Sequence, residues 1–367
     1  MTTTPSARQV IASLAASWLF SCNAFAAAPP LPALNIDLKQ TTVSGISSGA
    51  FMAVQFGVAH SASVQGIAAT AGGPYFCAGQ DSWAGAGVSK AIARCMQGDP
   101  SYPAKPITAT DLCNITAAAR AWASKGLIDP LTNLPKQKAW IFHGYNDGIV
   151  KKPVSDALYQ WLGSQLPAAQ VFYKDELKAA HAQISAACGS AGSTGSSCQP
   201  CATTGGDFIN TCANDQPASA AYDAAGAALQ LFYGPLTRTA TSALSAKAQS
   251  FDQTPYTRQG GQAVIPLKIS LADSGYLYIP AACNSGQACR LHIAFHGCQQ
   301  QAGQIGTAFV DKAGFNEWAD ANRIVVLYPQ TTATVAPPAT PFNPQGCWDW
   351  WGYNDYGWSM TGHYATQ

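Results

Sequence analysis

Charge is what this chain has least of. Lys, Arg, Asp and Glu supply 11% of its 367 residues, against roughly 25% in an ordinary soluble domain. The 20 basic and 19 acidic side chains nearly cancel, leaving a formal net charge of +1. No basic stripe is available to neutralise phosphates, so nucleic acid is not expected as a partner. The chain also lacks a charged tail, an internal repeat and a Pro/Thr/Ser linker. Apolar content is not lacking: 47% hydrophobic residues suffice for a packed core and argue against disorder. Ala, Ser, Thr, Gly and Gln stand where charge is missing, so the surface is expected to be polar but nearly uncharged.

Long apolar runs are also absent. Val10 to Phe20 is shorter than the roughly 18 residues that a membrane span needs. With Arg8 before it and Ala24-Phe25-Ala26 after it, the stretch reads as a secretory signal over residues 1–26, cleaved before Ala27. A membrane anchor, or a lipid anchor on Cys22, is the weaker reading. The expected location is extracellular or periplasmic. Residues 27–367 are expected to form one domain and a monomer.

Export decides how the twelve cysteines are read. Without Cys22 eleven remain, so at least one is free or intermolecular, and the rest are expected in disulfides. Cys283 and Cys289 close a short loop and are expected to pair with each other. Cys198-Gln199-Pro200-Cys201 is a lone C-x-x-C without a second pair or a nearby His, so no metal is expected. Residues 188–217, rich in Ser, Gly, Thr and Cys, read as a disulfide-stapled insertion.

Strand and helix patterns alternate. Strands are expected at Thr41 to Val43, Val64 to Thr70, Ala139 to Phe142, Ala169 to Tyr173, Gly275 to Ile279, Arg290 to Phe295 and Ile324 to Tyr328. Helices are expected at Ala50 to His60, Pro153 to Leu166, Ala220 to Tyr233 and Phe309 to Asn322. That alternation predicts an α/β fold with a mainly parallel sheet flanked by helices.

Gly45-Ile46-Ser47-Ser48-Gly49 is the only G-x-S-x-G in the chain. It follows a strand and opens a helix, the context of a nucleophile elbow, where small residues permit a sharp turn that presents Ser47 Oγ. A serine nucleophile needs a base, and the base an orienting acid. Of six histidines, His60 lies on the helix after the elbow, His292 inside a strand and His363 in the tail. His143 and His296 precede glycines at strand ends, where loop geometry explains them. His181, in a loop after a strand, is the candidate base. Asp147, just past the strand Ala139 to Phe142, is the candidate acid, with Asp175 as its rival. One helix and one strand separate Asp147 from His181, so both project from the C-terminal ends of nearby parallel strands. The order Ser47, Asp147, His181 is that of α/β hydrolases.

Acyl transfer also needs donors for the developing oxyanion. The Ser48 amide is one candidate. The second normally follows a strand that precedes the elbow, and too little chain precedes Ser47. Far downstream, the apolar strand ending at Phe295 runs into His296-Gly297-Cys298, which makes the Cys298 amide the second candidate. Motif order then predicts a circularly permuted α/β-hydrolase fold. Trp348, Trp350, Trp351 and Tyr353 cluster in one stretch; core packing takes some of them, and the others line an acyl-chain cleft or meet a substrate surface.

Gly45 to Phe51, His143 to Val150, the loop at His181, Tyr222 to Gly226, Phe295 to Gln300 and Gly346 to Tyr353 together resemble the secreted short-chain-length polyhydroxyalkanoate depolymerases. The similarity is to the branch with an N-terminal lipase box and a circularly permuted fold. It spans nearly the whole of residues 27–367. It implies Ser47 as nucleophile, Asp147 as acid, His181 as base and the Cys298 amide in the oxyanion hole. It further implies a carboxylic ester hydrolase acting on a polyester polymer or a hydroxyalkanoate oligomer, without metal or cofactor. Members often carry a separate polymer-binding domain, and none is expected here. The rival readings are a secreted esterase for feruloyl, acetyl or synthetic polyester bonds, and a non-catalytic polyester-granule-binding protein.

Overall fold

The computed structural model describes residues 28–79, 92–98, 107–188, 198–214, 220–259, 261–337 and 339–354. The expected signal segment, 1–26, lies outside them.

Eight strands form one sheet: β1 (Ile36–Ile46), β2 (Val64–Thr70), β3 (Lys138–Phe142), β4 (Val171–Lys174), β5 (Gln249–Asp252), β6 (Ser274–Tyr278), β7 (Cys289–Phe295) and β8 (Ile324–Tyr328). Their spatial order is β4-β3-β2-β1-β7-β8-β6-β5. Neighbours from β4 through β8 pair in parallel. Only β6 runs opposite to the other seven strands. Strand β1 therefore sits mid-sheet with early chain on one side and late chain on the other. The late strand β7 occupies the place beside the elbow strand, as the motif order predicts for a permuted hydrolase.

Alternation along the strands builds two apolar layers. Val43, Ile67, Ala69, Ala139 and Ile141 face one cluster. Ile46, Ala68, Trp140, Phe142 and Val326 face the other. The first is covered by α1 (Ser48–Ala59), α2 (Ala109–Ser124) and α3 (Lys152–Gln165). The second is covered by α4 (Ala224–Tyr233) and two short helices, Ala308–Lys312 and Phe315–Asp320. Helix α1 is apolar on nearly every side and correspondingly buried, as expected of a helix packed into the centre of a large core. Thr108 and Asp111 form a reciprocal capping box that starts α2.

Two helices depart from the sequence pattern. The one expected from Ala220 starts at Ala224, because the Asp223 carboxylate accepts the Gly226 N–H and caps it there. The one expected over 309–322 is broken at Gly314, whose φ of 93° is left-handed.

Five disulfides join Cys77–Cys95, Cys188–Cys198, Cys201–Cys212, Cys283–Cys289 and Cys298–Cys347. The expected Cys283–Cys289 pair is among them, and Cys113 is free and exposed. The two halves of the C-x-x-C belong to different bridges within the 188–217 segment, of which 189–197 and 215–217 lie outside the described residues. Among the described residues no helix is long and apolar enough to cross a membrane.

His292 on β7 bridges Thr42 Oγ1 and Ser44 Oγ of the adjacent strand, both at 2.8 Å. Burial depresses its pKa from 6.5 to about 3, and burial depresses that of His296 to about 4. Both folded-state values lie below that of the unfolded chain, so the unfolded chain binds more protons in acid. The stability that these two residues contribute is present above pH 6.5 and is lost as pH falls towards 4 and 3. Each is expected to cost roughly 2 kcal/mol between pH 7 and pH 5. Urea unfolding at the two pH values should show a clear drop in midpoint at pH 5; equal midpoints would contradict it.

Candidate active site

Strand β1 ends at Ile46 and α1 begins at Ser48, so Ser47 alone makes the turn. It does so with φ of 56°, a region that a non-glycine side chain rarely enters. The turn is held by backbone bonds. Ser47 N–H donates to Thr70 C=O at 2.9 Å, and Ser47 C=O accepts from Ala50 and Phe51 at 2.9 and 3.1 Å.

The flanking glycines are sterically required. A Cβ on Gly45 would overlap the Gly49 carbonyl, and one on Gly49 would overlap the carbonyls of Phe295 and His296. Gly49 thus lets α1 lie directly on the end of β7. Gly49→Ala is expected to lower stability by about 1–3 kcal/mol, because backbone atoms cannot yield. Gly163→Ala in α3, where a Cβ meets open space, should instead be neutral or stabilising by up to ~1 kcal/mol. Urea unfolding of the two variants tests the contrast.

Asp147 and His181 project from the loops after β3 and β4, which are adjacent and parallel. The loops are zipped together: Tyr145 N–H donates to Leu177 C=O and Asn146 N–H to Ala179 C=O, at 2.8 and 3.0 Å. Asp147 Oδ2 lies 2.8 Å from His181 Nδ1. Its Oδ1 accepts the N–H groups of Ile149 and Val150 at 2.8 and 3.0 Å. Burial alone would raise this carboxyl's pKa. The His181 hydrogen bond and charge, with the two amides, outweigh it and hold Asp147 below the ordinary carboxylate range. The rival Asp175 is half-buried at the surface and pairs with Lys152 at 2.8 Å, away from His181.

Ser47, His181 and Cys298 line one cavity of about 360 Å³, within the size range of small-molecule sites. Phe51, Phe208, Phe342 and Met96 supply apolar wall. None of the described lining residues is Lys, Arg, Asp or Glu. Ser48 also lines it, and as the first residue of α1 its N–H has no partner within the helix. Among the described residues, no acceptor takes the Cys298 N–H. The Cys298–Cys347 disulfide ties this loop to the aromatic stretch.

The four aromatics divide. Trp350 and Trp351 line the cavity, with Trp350 stacked on Phe51 at 3.9 Å between ring centres. Trp348 and Tyr353 do not reach it. They line a separate cleft, where Trp348 is buried and donates its Nε1–H to His296 C=O at 3.0 Å.

The other strand-end histidines hold loops, as their position suggested. His143 Nε2 bonds Val150 C=O at 2.9 Å, fixing the Asp147 loop. Sequence reasoning passed over Gln300. Its Oε1 accepts the Gly297 N–H at 2.7 Å, and its Nε2 donates to the carbonyls of Asp207 and Phe208. It thereby joins the Cys298 loop to the insertion beside His181. Its only sequence signal is adjacency to His296-Gly297-Cys298.

No family model matches the chain. It is 37% identical over 337 residues to a poly(3-hydroxybutyrate) depolymerase of Delftia acidovorans, covering 91% of this chain but 58% of that protein's length. It is 33% identical to a polyhydroxybutyrate depolymerase of Talaromyces funiculosus, covering 93% of this chain and 91% of the relative. Among solved structures, a PHB depolymerase variant complexed with R3HB trimer matches with a TM-score of 0.70 and 31% identity, over 92% of this chain and 97% of that one. The crystal structure of PHB depolymerase from Penicillium funiculosum matches at 0.71 and 33%, over 92% and 96%. With a third of its residues shared along nine-tenths of a full-length relative, and the same fold beneath them, the chain belongs to the polyhydroxybutyrate depolymerase family.

Proposed function

We propose that the protein is an exported serine esterase that hydrolyses poly(3-hydroxybutyrate) or its oligomers. The observation that carries this reading is that His181, bonded to Asp147 at 2.8 Å, lines the same cavity as the elbow residue Ser47. Ser47 Oγ attacks the ester carbonyl while His181 Nε2 takes its proton. Asp147 holds Nδ1 protonated and stabilises the imidazolium. The amides of Ser48 and Cys298 receive the negative charge that forms on the carbonyl oxygen. His181 returns its proton to the departing hydroxyl, and water releases the 3-hydroxyacyl group from Ser47 by the reverse sequence.

A neutral polyester suits this cavity because entering it strips no ion of its hydration. Trp350, Trp351, Phe51 and Phe342 offer apolar area to the acyl chain. Trp348 and Tyr353, expected at the substrate, do not line this cavity. Five disulfides favour an oxidising compartment, and with it export. The expected test is clearing of an amorphous poly(3-hydroxybutyrate) suspension, with release of hydroxybutyrate from its trimer. Release of ferulate or acetate from polysaccharide, with neither of these, would replace the polyester reading.

A further inference from the structure

We infer that His296 is a positioning residue, which aims the Cys298 amide into the cavity by holding the peptide bond that carries it. The inference rests on the proposed esterase reading. Thr331 N–H donates to His296 Nε2 at 3.2 Å, so Nε2 carries a lone pair. The proton of the neutral ring is then on Nδ1, which lies 2.7 Å from Gly297 C=O and donates to it. Complete burial keeps the ring neutral.

Gly297 C=O and Cys298 N–H belong to one planar peptide unit. In a trans peptide the two bonds point in opposite directions. Binding the carbonyl to the imidazole therefore turns the Cys298 N–H away from His296. His296 lies beneath the cavity, whereas Gly297 and Cys298 line it. The preceding peptide is held as well, since Gln300 Oε1 accepts the Gly297 N–H. The ring itself is fixed by Thr331, and the His296 carbonyl by Trp348 Nε1–H. The buried Trp348 thus acts at one remove, clamping the backbone that bears the donor. An oxyanion donor is useful only if it needs no reorganisation when charge develops, and these bonds supply that rigidity on both sides of Gly297.

Two substitutions separate the two faces of the ring. In His296→Asn the side-chain amide falls where Nδ1 was and still donates to Gly297 C=O. In His296→Gln the amide reaches the Nε2 position and meets Thr331, which leaves Gly297 C=O only the longer bond from Gln300 N–H, at 3.3 Å. On a soluble hydroxybutyrate trimer, His296→Gln is expected to lose about 10²-fold in kcat with KM nearly unchanged, the size of a lost oxyanion donor. His296→Asn should stay within about tenfold of the parent. Affinity for phenylboronic acid, whose tetrahedral adduct on Ser47 carries the oxyanion, should fall in parallel with kcat. Urea unfolding of both variants reports stability separately. A merely structural role predicts that kcat follows stability and that boronate affinity stays put, and either result overturns the inference. Equal kcat for the Asn and Gln variants also overturns it. Ser47→Ala in the same series tells the two failures apart. An inactive Ser47→Ala beside a fully active His296→Gln sinks this inference alone, whereas an active Ser47→Ala sinks the esterase reading and the inference with it.

Discussion

Ser47→Ala is expected to lower kcat on the hydroxybutyrate trimer by about 10⁶-fold, the loss typical of removing a triad serine. The fold should survive the change. The hydroxyl is not what makes the turn: Ser47 N–H bonds Thr70 C=O, and Ser47 C=O accepts from Ala50 and Phe51, through backbone atoms that Ala retains. Alanine is no more strained than serine at φ of 56°, because both carry a Cβ. The unfolding midpoint should therefore stay close to that of the parent while turnover disappears. Substrate should still bind, since the apolar walls at Phe51, Trp350 and Trp351 are untouched.

Asp147→Asn is expected to cost about 10⁴-fold in kcat through the wrong histidine tautomer. The Asn oxygen can still accept the amides of Ile149 and Val150, which Oδ1 of the aspartate accepts now. That orientation turns the NH₂ towards His181 Nδ1, which must then give up its proton and accept. The ring proton moves to Nε2, the atom that has to take the proton from Ser47. Geometry is preserved and chemistry is lost. Asp175→Asn provides the contrast. Its carboxylate pairs with Lys152 near the surface, and exposed pairs contribute roughly 0–1 kcal/mol, so turnover should remain within about twofold. Comparable losses in the two variants, measured as kcat on the trimer, would reassign the acid.

Much of this site is legible in the sequence because its parts are local. Gly45, Ser47 and Gly49 form a five-residue pattern whose spacing encodes the turn, and strand, loop and glycine cues place Asp147 and His181 at the ends of neighbouring strands. The permuted order is legible for the same reason: a hydrolase needs an apolar strand running into an oxyanion loop, and Leu291 to Cys298, far downstream of the elbow, is the best candidate. What escapes the sequence depends on tertiary contact. Trp348 and Trp350 are two residues apart with the same composition around them. One is buried against the His296 carbonyl, and the other stacks on Phe51 at the cavity wall. No local pattern distinguishes them. Gln300 is equally silent, because its partners at Asp207 and Phe208 lie more than 90 residues away.

The scarcity of charge takes on a narrower meaning with the cavity in view. The described residues lining it include no Lys, Arg, Asp or Glu, and His181 is the one side chain among them of a kind that titrates near neutral pH. Asp147 stands behind His181, buried and bonded by three donors. A carboxylate held there can stabilise an imidazolium without facing the ester.

The central claim is that Ser47 is the nucleophile, activated through His181. Treating the full chain with a fluorophosphonate and mapping the adduct by peptide mass spectrometry tests it most directly. The account predicts a single adduct, on Ser47, formed at a rate that falls steeply in Asp147→Asn and is abolished in Ser47→Ala. An adduct on another residue, or ester hydrolysis that persists with Ser47 unmodified, would contradict it.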